Sequence, residues 1–303
     1  MPSSEIASIG SEPLPAARLA SFYFAYYAAL GAFVPYWSLF LKDRGQDVAA
    51  ISVLMSLWYG TRIFAPSAWG WLAGRSMQPI RWLRIGCALT LTAFLVFLVP
   101  LDFRGLLIAM CVFCFAYNAV MPQFEALTFS HLAGRSERYG RIRVWGSIGY
   151  IATVVGFGVV FDHWPIGYLP LLLAPLFVGL VLSSFSNYYG RPRADEMPVD
   201  QGFRQRLRLP EVRVFFIVAV LMQISFGAYY TFFSIYLDQH GYRTSALGGY
   251  WAVAVAIEIA VFVYSVRIFQ RWSARSVVIA SLVTACLRWW VTALWPDNVV
   301  LMI

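Results

Sequence analysis

Charge is scarce in this chain. Asp, Glu, Lys and Arg make up 13% of its 303 residues, about half the share found in an ordinary soluble domain. Of the 23 basic residues only Lys42 is a lysine, so no lysine-rich patch exists. The arginines fall in short stretches between apolar runs, a pattern of membrane topology and not of a nucleic-acid surface. Histidine is rarer still. His131, His163 and His240 lie scattered near loops, which gives neither a His/Asp metal cluster nor a nucleophile–base pair. A membrane-embedded enzyme is therefore a poor reading, and no metal or cofactor is expected. Four cysteines do not make a disulfide framework. Cys111 and Cys114 form a C-x-x-C inside an apolar run without the βαβ context of a redox motif, so they read as small apolar helix residues. Residues 1–18 are rich in Ser, Pro, Ala and Glu, with Arg18 as their one basic residue. They lack a cleavable signal pattern and read as a short cytoplasmic tail.

What fills the space is apolar. Hydrophobic residues account for 60% of the chain and aromatics for 17%, including 12 Trp. A soluble fold of this length cannot hide so much apolar surface, and the aromatics suit a protein held between two membrane interfaces. A spanning helix needs about 20 mostly apolar residues. Nine runs qualify: 19–41, 48–73, 80–100, 105–130, 142–161, 166–189, 212–237, 245–269 and 276–294. They are far longer than the ~10 alternating residues of a barrel strand, so the fold class is all-α integral membrane. With the N-terminus cytoplasmic, the inside loops hold three arginines at 75–84, three at 135–141, six at 191–213 and three at 267–275. The outside loops hold Lys42, Arg44, Arg104 and Arg243. That bias predicts an N-terminus inside.

The stretch 190–211 carries Pro192, Pro198 and Pro210 among mixed charges. It reads as a solvated cytoplasmic linker with six helices before it. Sliding the first half by 196 residues lays Gly31 on Gly227, Ser38 on Ser234, Leu41 on Leu237, Gly45 on Gly241, Arg75 on Arg271 and Arg62 on Glu258. Such a parallel repeat implies two six-helix halves related by an axis along the membrane normal. The expected organisation is a tail 1–18, a first half 19–189, a linker 190–211 and a partial second half 212–303. In that last part 298–303 begins a tenth span. A second half matching the first needs three more helices, so the chain is expected to be a fragment or a truncated reading frame.

Five ionisable residues lie within or at the edge of apolar spans: Arg62, Glu125, Arg143, Glu258 and Arg288. Each costs at least ~2.5–3.5 kcal/mol at a helix centre and should face a water-filled cavity or a partner. Asn118 and Glu125 are seven apart and share a helix face. Pro122 between them frees a carbonyl or kinks the helix. Gly146, Gly149, Thr153 and Gly156 follow a 3-4-3 spacing, a small-residue stripe for close helix approach. Of the aromatics Phe22, Tyr23, Tyr26, Tyr27, Tyr229, Tyr230, Phe232 and Phe233, some line a cavity and stack on a solute, though packing or lipid contact explains most.

These residues carry a resemblance. Asn118-Ala119-x-x-Pro122-x-x-Glu125-Ala126, followed eighteen residues after Glu125 by Arg143 in Tyr139-Gly140-Arg141-Ile142-Arg143-Val144-Trp145-Gly146, resembles helices 4 and 5 of the lactose permease group in the major facilitator superfamily. Residues 138–151, 258–275 with Glu258, and 287–290 with Arg288 are similar to the 3-phenylpropionate transporter branch. The resemblance implies a major facilitator fold and a proton-coupled importer of a small aromatic carboxylate such as 3-phenylpropionate. It acts by alternating access, as a monomer, in a bacterial inner membrane. It implies that Glu125 and Arg143 hold the substrate and that Tyr150, seven residues after Arg143, stacks on it. Glu258 and Arg288 become second-half binding or coupling residues, and Arg62 matches a helix-2 arginine of that branch. For a carboxylate, Arg143 or Arg62 forms the bidentate clamp, while Glu125 either orients Arg143 or carries the proton. One departure is Gly74-Arg75, where the family loop has an Asp followed by a basic residue. The nearest alternative is an oligosaccharide or nucleoside symporter of the same fold. From another class, a truncated, non-transporting membrane scaffold or sensor remains open.

Overall fold

The computed structural model describes residues 14–76, 78–132, 138–188 and 209–295. Among them lie nine long helices: α1 Ala16–Asp43, α2 Val48–Gly74, α3 Pro79–Leu95, α4 Phe103–Leu132, α5 Tyr139–Phe161, α6 Leu169–Phe185, α7 Pro210–Gln239, α8 Thr244–Arg271 and α9 Ala274–Leu294. No strand occurs among the described residues. Each helix, with the 3-10 turns Val96–Leu98 and Ile166–Tyr168 added to α3 and α6, carries an apolar stretch long enough to cross a bilayer. In hydrocarbon every backbone polar group needs an internal partner, and a helix supplies it within one segment. Helix starts follow the chain's chemistry. Pro79 and Pro210 stand in the first turns of α3 and α7, where a missing N–H is harmless, and the Asp47 side chain accepts from the Ala50 amide to cap α2. α4 continues through Pro122.

Several ends differ from the hydropathy reading. α1 begins at Ala16, inside the expected tail, and α7 begins at Pro210, inside the expected linker. α6 stops at Phe185, short of 189, because Asn187 turns its amide to the carbonyls of Ser183 and Arg18. The rest of the expected linker, most of the N-terminal tail and the start of a tenth span at 298–303 lie outside the described residues.

α1 is the most buried helix of the first half. It packs on α5 and α6, while α2 lies on α4, and α3 on α4 and α6. The core is aromatic. Phe113 of α4 is ringed by Phe33, Trp58, Phe94, Tyr117 and Phe177 from five helices at centroid separations of 5.1 to 6.5 Å, in offset-stacked, tilted and edge-on arrangements.

The repeat is visible atom by atom. The Gln46 amide donates to the Leu41 carbonyl at 3.0 Å, and 196 residues on the Tyr242 amide donates to Leu237 at 3.1 Å. Gly45 and Gly241 both take φ +77°, the left-handed turn for which glycine has no steric penalty. The second half meets the first through α5 on α8 and α7 on α1 and α2. Polar contacts cluster where α1, α5 and α7 end and α8 begins. Lys42 pairs with Asp238 at 2.7 Å. Asp162, just beyond α5, accepts from the Ser245 amide at 3.0 Å, with Arg243 3.9 Å away.

Candidate functional site

Away from that clasped end, charged side chains from both halves come together. The Tyr27 hydroxyl of α1 lies in the field of Arg143 (α5), Glu125 (α4), Arg62 (α2) and Glu258 (α8). The Tyr230 hydroxyl of α7 lies in that of Glu258, Arg62 and Arg288. A first-half tyrosine thus senses a second-half carboxylate, and a second-half tyrosine senses a first-half arginine. Arg62, Glu125, Arg143, Glu258 and Arg288 stand on α2, α4, α5, α8 and α9, so both halves supply charge within their spans. Arg62 and Glu258 are exposed, and Glu125 and Arg143 half-buried, in spans where such groups survive only beside water or one another.

Each side chain is placed by its helix. Glu125 has both carboxylate oxygens 3.0 Å from the Tyr139 hydroxyl, which donates to them. Arg143, one turn after Tyr139 on the same face, does not pair with Glu125. Its guanidinium carbon stands 3.9 Å from the Tyr27 ring centroid and 5.6 Å from that of Tyr23. The α1–α5 contact is set by the small stripe. A Cβ on Gly149 would lie 2.5 Å from the Phe24 carbonyl oxygen, and the Thr153 hydroxyl donates to the Ala28 carbonyl at 2.8 Å. Gly156 faces open space, and Gly158 instead admits the backbone of α8 at Thr244.

Asn118 is buried and looks the other way from Glu125. Its amide donates to the Trp58 carbonyl at 2.9 Å and to the Thr61 hydroxyl at 2.8 Å, and its oxygen accepts from Arg62 Nε at 3.3 Å. It therefore braces α4 on α2 and steadies Arg62, which also lies 5.3 Å from the Trp58 ring. Tyr150 is buried at 8% exposure, and its backbone packs on α1, where a Cβ on Gly31 would lie 2.5 Å from the Tyr150 carbonyl oxygen. Arg288 of α9 lies against rings of α7, its guanidinium carbon 4.2 Å from the Tyr229 centroid and 5.5 Å from that of Phe226, and its Nε and Nη2 are buried without a hydrogen-bond partner among the described residues. Tyr139 was not singled out from the sequence, although its four-residue spacing to Arg143 carried the signal.

A cavity of about 590 Å³ lies elsewhere. Second-half residues line it, among them Met222, Phe226, Ile268, Trp272, Thr284 and Arg288. It is largely apolar, its lining comes from the second half, and Arg288 is its one charged residue among the described residues, so the charged side chains of α2, α4, α5 and α8 make the better candidate site. Among the described residues no group of His, Cys, Asp and Glu could hold a metal ion.

The family model described as MFS_1 like family matches residues 16–303. The chain is 29% identical over 279 residues to the "Probable 3-phenylpropionic acid transporter" of Escherichia coli, covering 89% of this chain and 72% of that protein. It is 24% identical over 273 residues to the maltose permease of Geobacillus stearothermophilus, covering 88% and 68%. A solved structure of the nucleoside transporter NupG superposes with a TM-score of 0.80 at 16% identity, covering 95% of this chain and 76% of that one.

Proposed function

The chain belongs to the MFS_1 like family of the major facilitator superfamily, and on that premise we propose that it is a proton-coupled importer of a neutral, hydroxylated ring compound of the sugar or nucleoside class. Secondary transport across a membrane is common to the transporters it resembles, and none of them is an enzyme. The observation that carries the solute class is the set of two arginines and two carboxylates inside the spans, Arg62 and Arg143 with Glu125 and Glu258, of which Arg143 stacks on Tyr27 and Glu125 is held by the Tyr139 hydroxyl. Such a site offers donors and acceptors in equal measure, which suits hydroxyl groups that do both. Tyrosines supply apolar faces for the ring. In this reading Arg62 and Arg143 donate to the solute and Glu258 accepts. Glu125, with Tyr139 to hold it, carries the proton. Opening alternates between the two sides of the membrane by rocking of one half against the other, with the arginine-rich loops and the N-terminus on the cytoplasmic side.

A second reading, an aromatic carboxylate, is favoured by one observation. Arg143 makes no hydrogen bond or ion pair with a described residue, so its fork is open to an anion. Its support is the relative named for 3-phenylpropionic acid.

The test is uptake by proteoliposomes under an imposed inward proton gradient, counted above that of protein-free liposomes, with labelled maltose, uridine and 3-phenylpropionate offered in turn and unlabelled 3-phenylpropionate as competitor of the first two. Gradient-dependent accumulation of either neutral solute, undisturbed by the carboxylate, supports the first reading. Accumulation of 3-phenylpropionate alone replaces it by the second, and no gradient-driven uptake of any of the three overturns both.

A further inference from the structure

We infer that Tyr27 is a positioning residue for Arg143 and that Gly146 is the space that lets it act, an inference that rests on Arg143 being a solute-binding group as proposed above. The guanidinium of a membrane-buried arginine ordinarily finds a carboxylate or carbonyls. Arg143 has neither among the described residues, and Glu125, the carboxylate on the neighbouring helix, is taken by Tyr139. What Arg143 has is a ring face. Its guanidinium carbon lies 3.9 Å from the Tyr27 centroid, well within the ~6 Å range in which a ring quadrupole attracts a cation. A stacked guanidinium keeps its N–H edges free, so the stack fixes the plane of the fork without consuming its donors.

Gly146 completes the device. A Cβ there would stand 2.6 Å from Tyr27 Cδ2 and 2.9 Å from Arg143 Nη1. Any side chain at 146 would displace both members of the stack. Arg143 and Gly146 are three residues apart and share a face of α5, so the ring of α1 lies over the two together.

Two readouts test this. The first needs no solute. Purified wild type and Tyr27→Leu in proteoliposomes are labelled with phenylglyoxal, and modification of Arg143 is followed by mass spectrometry with Arg62 as internal reference. Release from the ring should raise the Arg143 rate several-fold relative to Arg62 in Tyr27→Leu and in Gly146→Ala, and leave it unchanged in Tyr27→Phe. Equal rates in all four proteins overturn the inference. The second is transport of whichever of maltose, uridine or 3-phenylpropionate the wild type accumulates. Tyr27→Leu should raise KM by roughly 10- to 30-fold, as expected for losing a desolvated cation–π contact, with kcat held within about threefold. Tyr27→Phe should restore KM. In the Tyr27→Leu background Arg143→Lys should cost little more, because the two act as one unit. Full additivity, or a fall in kcat with KM unchanged, overturns the positioning role. Normal transport by Arg143→Lys alone removes the solute reading as well, whereas a disabled Arg143→Lys beside a normal Tyr27→Leu removes this inference only.

Discussion

Where α1, α5 and α7 end, the two halves touch through matched pairs: Lys42 on Asp238, Asp162 on the first amides of α8, and Gly158 and Gly248 against facing backbone. Inside the spans, by contrast, charges of both halves have few direct bonds: among the described residues Arg143 has ring faces and Glu125 has the Tyr139 hydroxyl. The clasped region combines one exposed ion pair, Lys42 with Asp238, worth little alone, a largely buried Asp162 and close backbone approach. The charges inside the spans are expensive to leave alone in a membrane and therefore gain most from a solute or a proton. A transporter needs both, a seal and a site with unmet hydrogen-bonding capacity.

The largest expected effect breaks the site side of this contrast. Glu125→Gln keeps an acceptor for Tyr139 but removes the carboxylate charge on which the proposed coupling relies. Losing a charged hydrogen-bonding group is worth about 1.5–3 kcal/mol, so gradient-driven uptake should fall by roughly 10- to 100-fold. Solute exchange at equal pH on both sides should fall less. Normal gradient-driven uptake in Glu125→Gln would remove Glu125 from the site.

Next in size is the seal. A Cβ at Gly158 would sit 2.9 Å from the Thr244 carbonyl oxygen and 3.0 Å from the Tyr36 hydroxyl, and the backbone of α8 cannot give way as a side chain can. Gly158→Val should therefore push α5 and α8 apart, at the ~1–3 kcal/mol usual for overpacking. With the exposed Cys111 and Cys286 replaced by serine, spin labels at Ala49 and Gln239 should report a longer distance in the variant. An unchanged distance would mean that the seam is not set by this glycine.

The sequence made the spans, their number and the 196-residue repeat legible because apolar length and turn glycines are local signals. Gly45 and Gly241 are the clearest case, matched in register and in left-handed backbone. The charged residues were legible as anomalies in apolar runs. Their company was not. Asn118 and Glu125 share a face by spacing, yet one turns to α2 and the other to Tyr139, since seven residues, about 10 Å along α4, bring one face against different neighbours. The small stripe on α5 predicted close approach at Gly146, Gly149 and Thr153. Its last member, Gly156, faces open space, while the off-stripe Gly158 receives the second half. The stack of Arg143 on Tyr27 depends on how α1 lies on α5, a contact between residues far apart in the chain that no periodicity encodes.

A smaller effect is expected at Asp162. In the first half Asp47 caps α2 from its own N-cap position. The repeat-equivalent residue before α8 is Arg243, which makes no side-chain cap, and the carboxylate comes instead from Asp162 across the seam. Burial pushes the Asp162 carboxyl up, but hydrogen bonds from Ser245, then Arg243 and the Thr244 amide, outweigh it and hold the carboxyl below its usual range. Its contribution is thus complete above the ordinary carboxylate pKa of about 4 and lost as pH falls through the lowered value. Asp162→Ala should loosen the clasp by about 0.5–2 kcal/mol, as removal of a cap does, and Asp162→Asn by less. The Ala49–Gln239 label distance, followed from neutral to acidic pH, should lengthen at low pH in wild type. The same step in Asp162→Asn would assign it to another carboxyl.

The smallest expected effect is the most specific to the repeat. Lys42 and Asp238 stand 196 residues apart, the repeat interval itself, so the ion pair joins two equivalent positions that carry opposite charge. Both side chains are about half exposed, 40% and 50%, and such a pair contributes about 1 kcal/mol or less. Lys42→Ala or Asp238→Ala alone should therefore shift the label distance only slightly, and less still at high salt, where exposed pairs are screened. Lys42→Asp alone places like charges at the seam and should lengthen it more. The exchange Lys42→Asp with Asp238→Lys restores the pair in mirror image. If equivalence of the two positions is what matters, the exchanged protein should recover the wild-type distance. If it stays long like the single Lys42→Asp, the pair depends on its local surroundings, Arg44 beside Lys42 and His240 beyond Asp238, and the two ends of the repeat are not interchangeable.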